Sequence, residues 1–137
     1  MYKRLGFVTG LICAVPLSAA PQTEYSWQCN FTERSVCGAT TCTTKKSPAK
    51  GGVWIYLTPS QQSYYRCEGD NFDDCDHYKA TITDSGAFKT FELPGRAAFA
   101  KVGADLSVTE VVTQMDLVYI NRGRCMSAPP PLIRTGG

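Results

Sequence analysis

The chain has 137 residues, 43% of them hydrophobic and 19% charged, with a formal net charge of +2. Lys3 and Arg4 carry that excess, so the rest of the chain sets twelve basic residues against twelve acidic ones. Such a balance argues against binding to nucleic acid or to an acidic membrane surface, both of which need a basic excess.

The first twenty residues read as a secretory signal. Lys3 and Arg4 open it, and residues 5–17 are mostly apolar and uncharged. Small residues follow at Ser18, Ala19 and Ala20, so cleavage after Ala19 or Ala20 is expected. Cys13 lies inside this segment behind Ile12, where a lipid-attachment box needs a small residue; it is expected to leave with the signal. An uncleaved N-terminal anchor is the alternative. Residues 21–126 are then one domain of ordinary size, and no second apolar run is long enough for a transmembrane helix.

Six cysteines remain after cleavage: Cys29, Cys37, Cys42, Cys67, Cys75 and Cys125. An even number in an exported chain points to structural disulfides and to a secreted or periplasmic location. The expected pairing is Cys29–Cys125, Cys37–Cys42 and Cys67–Cys75, although spacing alone does not choose among the possible pairings. Zinc would need paired Cys-x2-Cys or Cys/His spacings, and a redox site Cys-x-x-Cys; neither is present, and His77 is the only histidine.

The pattern is mostly β. Residues 53–57 are aromatic and β-branched and bounded by Gly51-Gly52 and Pro59, which suits a buried strand. Residues 78–83 alternate apolar and polar with period two, as a half-buried strand does. Residues 88–93 form a further strand between Asp84-Ser85-Gly86 and Pro94-Gly95. Residues 97–102 follow, with some helical propensity. Residues 106–114 and 117–121 read as a hairpin around Met115-Asp116. A short helix or turn is expected near residues 71–76. The fold class is therefore mainly β, an antiparallel sandwich or small barrel stabilised by disulfides. The tail, 127–137, holds three consecutive prolines and is expected to be extended and disordered.

Tyr65-Arg66-Cys67, Cys75-Asp76-His77-Tyr78, Ser85-Gly86-Ala87-Phe88 and Gly123-Arg124-Cys125 resemble small secreted bacterial proteins with a disulfide-bonded β domain. The resemblance covers about half of the mature chain. It implies an exported β domain and says nothing about chemistry.

Several residues are candidates for function. Residues 68–76 place five carboxylates in nine positions, and Asp70, Asn71, Asp73 and Asp74 are the set that could hold calcium; a solvated polar loop, or a basic partner docking there, are the alternatives. The opposite sign gathers at Arg34, Lys45, Lys46 and Lys50. His77 lies beside Asp76, but neighbours in a strand face opposite ways, which works against a catalytic pair. Glu110 shares a strand face with Leu106, Val108 and Val112; an inward carboxylate must be paired, and Arg122 or Arg124 is the expected partner. The neighbouring valines leave the register open, and Glu110 facing water after a bulge is the equal alternative. Trp27, Trp54, Tyr56, Tyr64 and Tyr65 form either core or a binding face. Tyr64 and Tyr65 point opposite ways in a strand, so one ring is expected to be exposed and available for binding. Asn30-Phe31-Thr32 matches a glycosylation acceptor. No nucleophile constellation or cofactor motif is present. The expected function is thus a small non-catalytic binding or inhibitor-like protein of the cell envelope or extracellular space, with a protein or small molecule as partner. A small hydrolase using acidic residues, and a calcium-stabilised adhesion or assembly module, are the alternatives.

Overall fold

The structure, a computed structural model, describes residues 25–47, 52–70 and 72–129. The expected signal, Lys50, Asn71 and residues 130–137 of the expected tail lie outside the described residues. Among the described residues ten strands run in chain order: β1 (Ser26–Cys37), β2 (Cys42–Lys46), β3 (Val53–Thr58), β4 (Ser63–Glu68), β5 (Cys75–Lys79), β6 (Thr81–Asp84), β7 (Phe88–Glu92), β8 (Ala98–Gly103), β9 (Ser107–Gln114) and β10 (Leu117–Ala128). Of residues 97–102, with their helical propensity, all but Ala97 are strand. β10 carries Ser127 and Ala128 into the sheet.

All pairings are antiparallel, and the strand order is β5-β4-β3-β1-β10-β9-β8-β7-β6. This single sheet is nearly closed into a barrel. The walls are consecutive hairpins, except that β1 bridges β3 and β10. β1 is long enough to pair with β3 through its first half and with β2 through its second.

The barrel has a seam where β5 and β6 fail to pair. Residues 78–83 alternate as one strand would, but the chain breaks step at Ala80, whose N–H donates to Gln62 O at 2.8 Å instead of entering a ladder. The inward parity of Tyr78, Ala80 and Ile82 survives the break, because all three belong to or pack against the same core.

That core fills one end of the barrel. Phe31, Ile55, Leu57, Phe91, Ala100 and Val108 form its body, and their inward alternation on successive strands is what period-two patterning produces. A second apolar layer lies on the outer surface of β3 and β4, where Trp54, Tyr56, Tyr65 and Cys67 are buried. Phe72 covers it, with ring centroids 4.9 Å from Trp54 and 5.0 Å from Tyr56. β3 is therefore buried on both faces, which accounts for its unbroken apolar run.

Each disulfide joins residues directly opposite one another in a ladder. Cys29–Cys125 ties β1 to β10 inside the core, Cys37–Cys42 closes the β1–β2 hairpin, and Cys67–Cys75 ties β4 to β5 on the outer surface.

One irregularity in β1 shapes everything above the core. The pairing of β1 with β10 shifts register between Phe31 and Glu33, so Thr32 is an extra residue. Phe31 and Arg34 are three apart and would face opposite sides of a regular strand. The bulge restores parity: Phe31 stays in the core and Arg34 also points inward, into the open end of the barrel.

Candidate functional site at the barrel mouth

Glu110, on β9, is fully buried inside the barrel. Burying a carboxylate costs free energy unless donors surround it, and here they come from the opposite wall and from the neighbouring strand. Tyr64 Oη, on β4, donates to Glu110 Oε1, and Arg66 Nε approaches the same oxygen at 3.3 Å. Asn121 Nδ2, on β10, donates to Oε2 at 2.6 Å. Tyr64 and Asn121 are also fully buried. Burial pushes the Tyr64 phenol well above its ordinary value of 10.0, and the Glu110 charge adds to the shift. Tyr64 is therefore a neutral, permanent donor at physiological pH.

The network continues outward. Arg34 Nε donates to Asn121 Oδ1 at 2.8 Å. Arg34, Asn121, Glu110, Tyr64 and Arg66 thus form a polar layer spanning four strands across the barrel. Among the described residues, no buried side-chain nitrogen or oxygen lacks a hydrogen-bond partner. Glu110 pairs with Arg66 rather than with Arg122 or Arg124. Both of those residues alternate with inward Asn121, Gly123 and Cys125 and so face out. Arg122 meets Glu33 at 3.2 Å, and Arg124 donates to Asp105 O.

Above this layer lies a cavity of about 580 Å³ in the barrel mouth. Three guanidinium groups open into it, those of Arg34, Arg66 and Arg96, together with Glu68, Asp76 and Glu110. Val53, Leu93, Ala98, Val112 and Tyr119 supply apolar wall. Arg96 comes from the turn between β7 and β8 and reaches across the seam to β5, where its Cζ lies 4.6 Å from the centre of the Tyr78 ring. Tyr78 Oη donates to Asp76 Oδ2 at 3.2 Å. Burial and that acceptor raise the Tyr78 phenol, while Arg96 and Arg66 pull it the other way.

The other sequence candidates fall elsewhere. Tyr64 and Tyr65 do point to opposite faces, yet neither ring is exposed, contrary to expectation: Tyr64 is inside the barrel and Tyr65 in the outer aromatic layer. Tyr65 is roofed by Tyr56 and by His77, whose ring stacks on it at 4.4 Å. His77 also hydrogen-bonds Ser63 at 3.1 Å. It stands on the outer side of β5, whereas Asp76 lines the mouth, so the two do not act on one point. Asp73 and Asp74 lie in a short 3-10 turn, Phe72–Asp74, in an exposed loop pinned to the outer layer by Phe72. Asp70 borders that loop and Asn71 is outside the described residues. Among the described residues, no three His, Cys, Asp or Glu side chains are grouped so as to hold a metal ion.

Sequence reasoning found Glu110 and missed its partners. Arg66 alternates inward with Tyr64, and Asn121 with Gly123 and Cys125, so their parity was available; that they meet across the barrel was not.

Fold and site together define a small disulfide-bonded antiparallel β-barrel with a polar cavity at one end. No protein-family model, no curated protein and no solved structure matches the chain. Three disulfides fit an oxidising or extracellular compartment. Among the described residues, no helix is long and apolar enough to cross a membrane.

Proposed function

We propose that this is an exported, non-catalytic binding protein, secreted or periplasmic, that takes a small molecule into the barrel mouth. The observation that carries the reading is the cavity itself. It has about 580 Å³ of space, within the range of small-molecule sites, and combines apolar walls with a few directed polar groups at the end of a β-barrel. Its floor is a polar layer whose hydrogen bonds are already satisfied, so the floor can stay rigid while the mouth exchanges contents.

The hydrolase reading has less support. Glu110 and Asp76 share the cavity, but three donors occupy the Glu110 carboxylate and Tyr78 donates to Asp76, which leaves neither poised to move a proton. Calcium-linked assembly through Asp70, Asn71, Asp73 and Asp74 has its own test: millimolar calcium must raise the melting temperature.

The test of the binding reading is a small-molecule fragment set followed by backbone amide shifts in two-dimensional NMR. Fragments that bind are expected to shift Val53, Arg66, Ala98 and Val112. Hits confined to the outer surface around Phe72 overturn the reading.

A further inference from the structure

We infer that the mouth recognises the carboxylate of a small acid with an apolar body, through Arg34 and Arg96. The inference rests on the binding reading above and assigns its ligand class.

The three guanidinium groups differ in which donors they already use. Arg66 Nε is paired with the Glu110 carboxylate, so its charge is already matched by a buried partner. Arg34 gives only its Nε to Asn121, and no carboxylate lies within ion-pair distance of it among the described residues. Its two terminal nitrogens have no hydrogen-bond partner among the described residues, and Arg34 lines the cavity. Arg96 is held over the Tyr78 ring, and its guanidinium likewise has no acceptor among the described residues. A guanidinium presents its N–H groups in a rigid fork that matches a carboxylate. Two such forks, from β1 and from the β7–β8 turn, reach one cavity from different walls.

Arg34 is also aimed. Glu110 can only accept, so Asn121 must turn its Nδ2 inward to reach Oε2, and its Oδ1 must then face outward. That oxygen receives Arg34 Nε. The buried carboxylate thus fixes the amide, and the amide fixes the guanidinium: a preorganised donor supported from beneath.

The charges of the cavity cancel in number, three guanidinium groups against Glu68, Asp76 and Glu110. Selection therefore comes from directed donors rather than from a bare positive field. Glu110 already accepts three hydrogen bonds and Asp76 accepts one from Tyr78, and Glu68 is exposed to solvent; what Arg34 and Arg96 offer a ligand is donor capacity. The walls at Val53, Leu93, Ala98 and Val112 would receive the rest of the ligand.

The test compares 2-naphthoate with its neutral isostere 2-naphthamide, by calorimetry and amide shifts, on wild type, Arg34→Ala, Arg34→Lys, Arg96→Ala and the outer-surface control Arg122→Ala. Wild type is expected to prefer the acid by about tenfold. Arg34→Ala and Arg96→Ala should each lose most of that preference, Arg34→Lys should not restore it, and Arg122→Ala should keep it. Melting curves taken alongside identify any variant that fails to fold, and Arg96, being exposed, supplies a second route to the answer. Equal affinity for acid and amide with shifts in the mouth overturns the carboxylate assignment and leaves the mouth as a site. Preference retained in both arginine-to-alanine variants overturns the roles of Arg34 and Arg96. Shifts from neither compound in the mouth overturn the binding reading itself.

Discussion

Asn121 Nδ2 lies 2.6 Å from Glu110 Oε2, and this contact decides which way the Asn121 amide faces. The pair sits in register on adjacent strands, Asn121 opposite Glu110, at the boundary between the apolar core and the open mouth. The polar floor of the mouth hangs from it: Tyr64 and Arg66 on one side, Arg34 on the other.

Glu110→Gln is expected to destabilise the protein by about 3 kcal/mol, since it removes a buried charge and leaves one acceptor oxygen for three donors. Urea denaturation measures this. A loss below about 1 kcal/mol would mean that the network adapts and that Glu110 is not its centre.

Tyr64→Phe removes one donor to Glu110 and should cost about 1–3 kcal/mol at neutral pH. The cost should depend on pH in a set direction. The folded phenol titrates above its ordinary value of 10.0, so the stability it contributes is fully present below pH 10 and is lost as pH rises through the folded value. The gap between wild type and Tyr64→Phe should therefore be flat up to neutral and mildly alkaline pH and shrink above 10. A gap that stays constant into strong alkali contradicts the assignment.

Gly123 stands opposite Phe31 beside the β1 bulge, and a Cβ there would meet the Asn30 carbonyl oxygen at 1.9 Å. Backbone cannot yield as a flexible side chain can. Gly123→Ala should cost about 3 kcal/mol or more. Gly86→Ala, where φ is +81° but space is open, should cost only about 1–2 kcal/mol, the price of the left-handed backbone alone. Thermal melts of the two variants give the comparison; equal losses would contradict it.

The three disulfides should differ in worth. Cys29–Cys125 closes a separation of 96 residues and should contribute up to about 4.7 kcal/mol on the chain-entropy treatment. Cys37–Cys42 and Cys67–Cys75 close separations of 5 and 8 and should give about 2–2.5 kcal/mol each. Paired Cys→Ala variants, one bridge at a time, test the order. The outer bridge also roofs the aromatic layer, so its removal should perturb the Trp54 environment as well.

How far the residues announce this arrangement depends on parity. Strands β3, β7, β8 and the β9–β10 hairpin are legible because their inward residues keep strict alternation or a full apolar run. Glu110 is legible as a candidate, but the valines on both sides of it leave its face open until the ladder with β10 sets it inward opposite Asn121. β1 is not, because the bulge at Thr32 breaks alternation between Phe31 and Arg34, and the strand reads as irregular. β2 is fully exposed and offers no hydrophobic pattern. β4 hides because both of its faces are buried, so Tyr64 and Tyr65 look alike although they belong to different layers. The mouth itself was illegible: Arg34, Arg66 and Arg96 lie on three separate elements, and only barrel closure brings them to one cavity.

The most direct test of the account is a crystal structure of the wild-type protein soaked with 2-naphthoate. The ligand is expected in the barrel mouth, its ring against Val53 and Val112 and its carboxylate within hydrogen-bond distance of Arg34 and Arg96. Density on the outer aromatic layer near Phe72, with the mouth holding solvent alone, would contradict it.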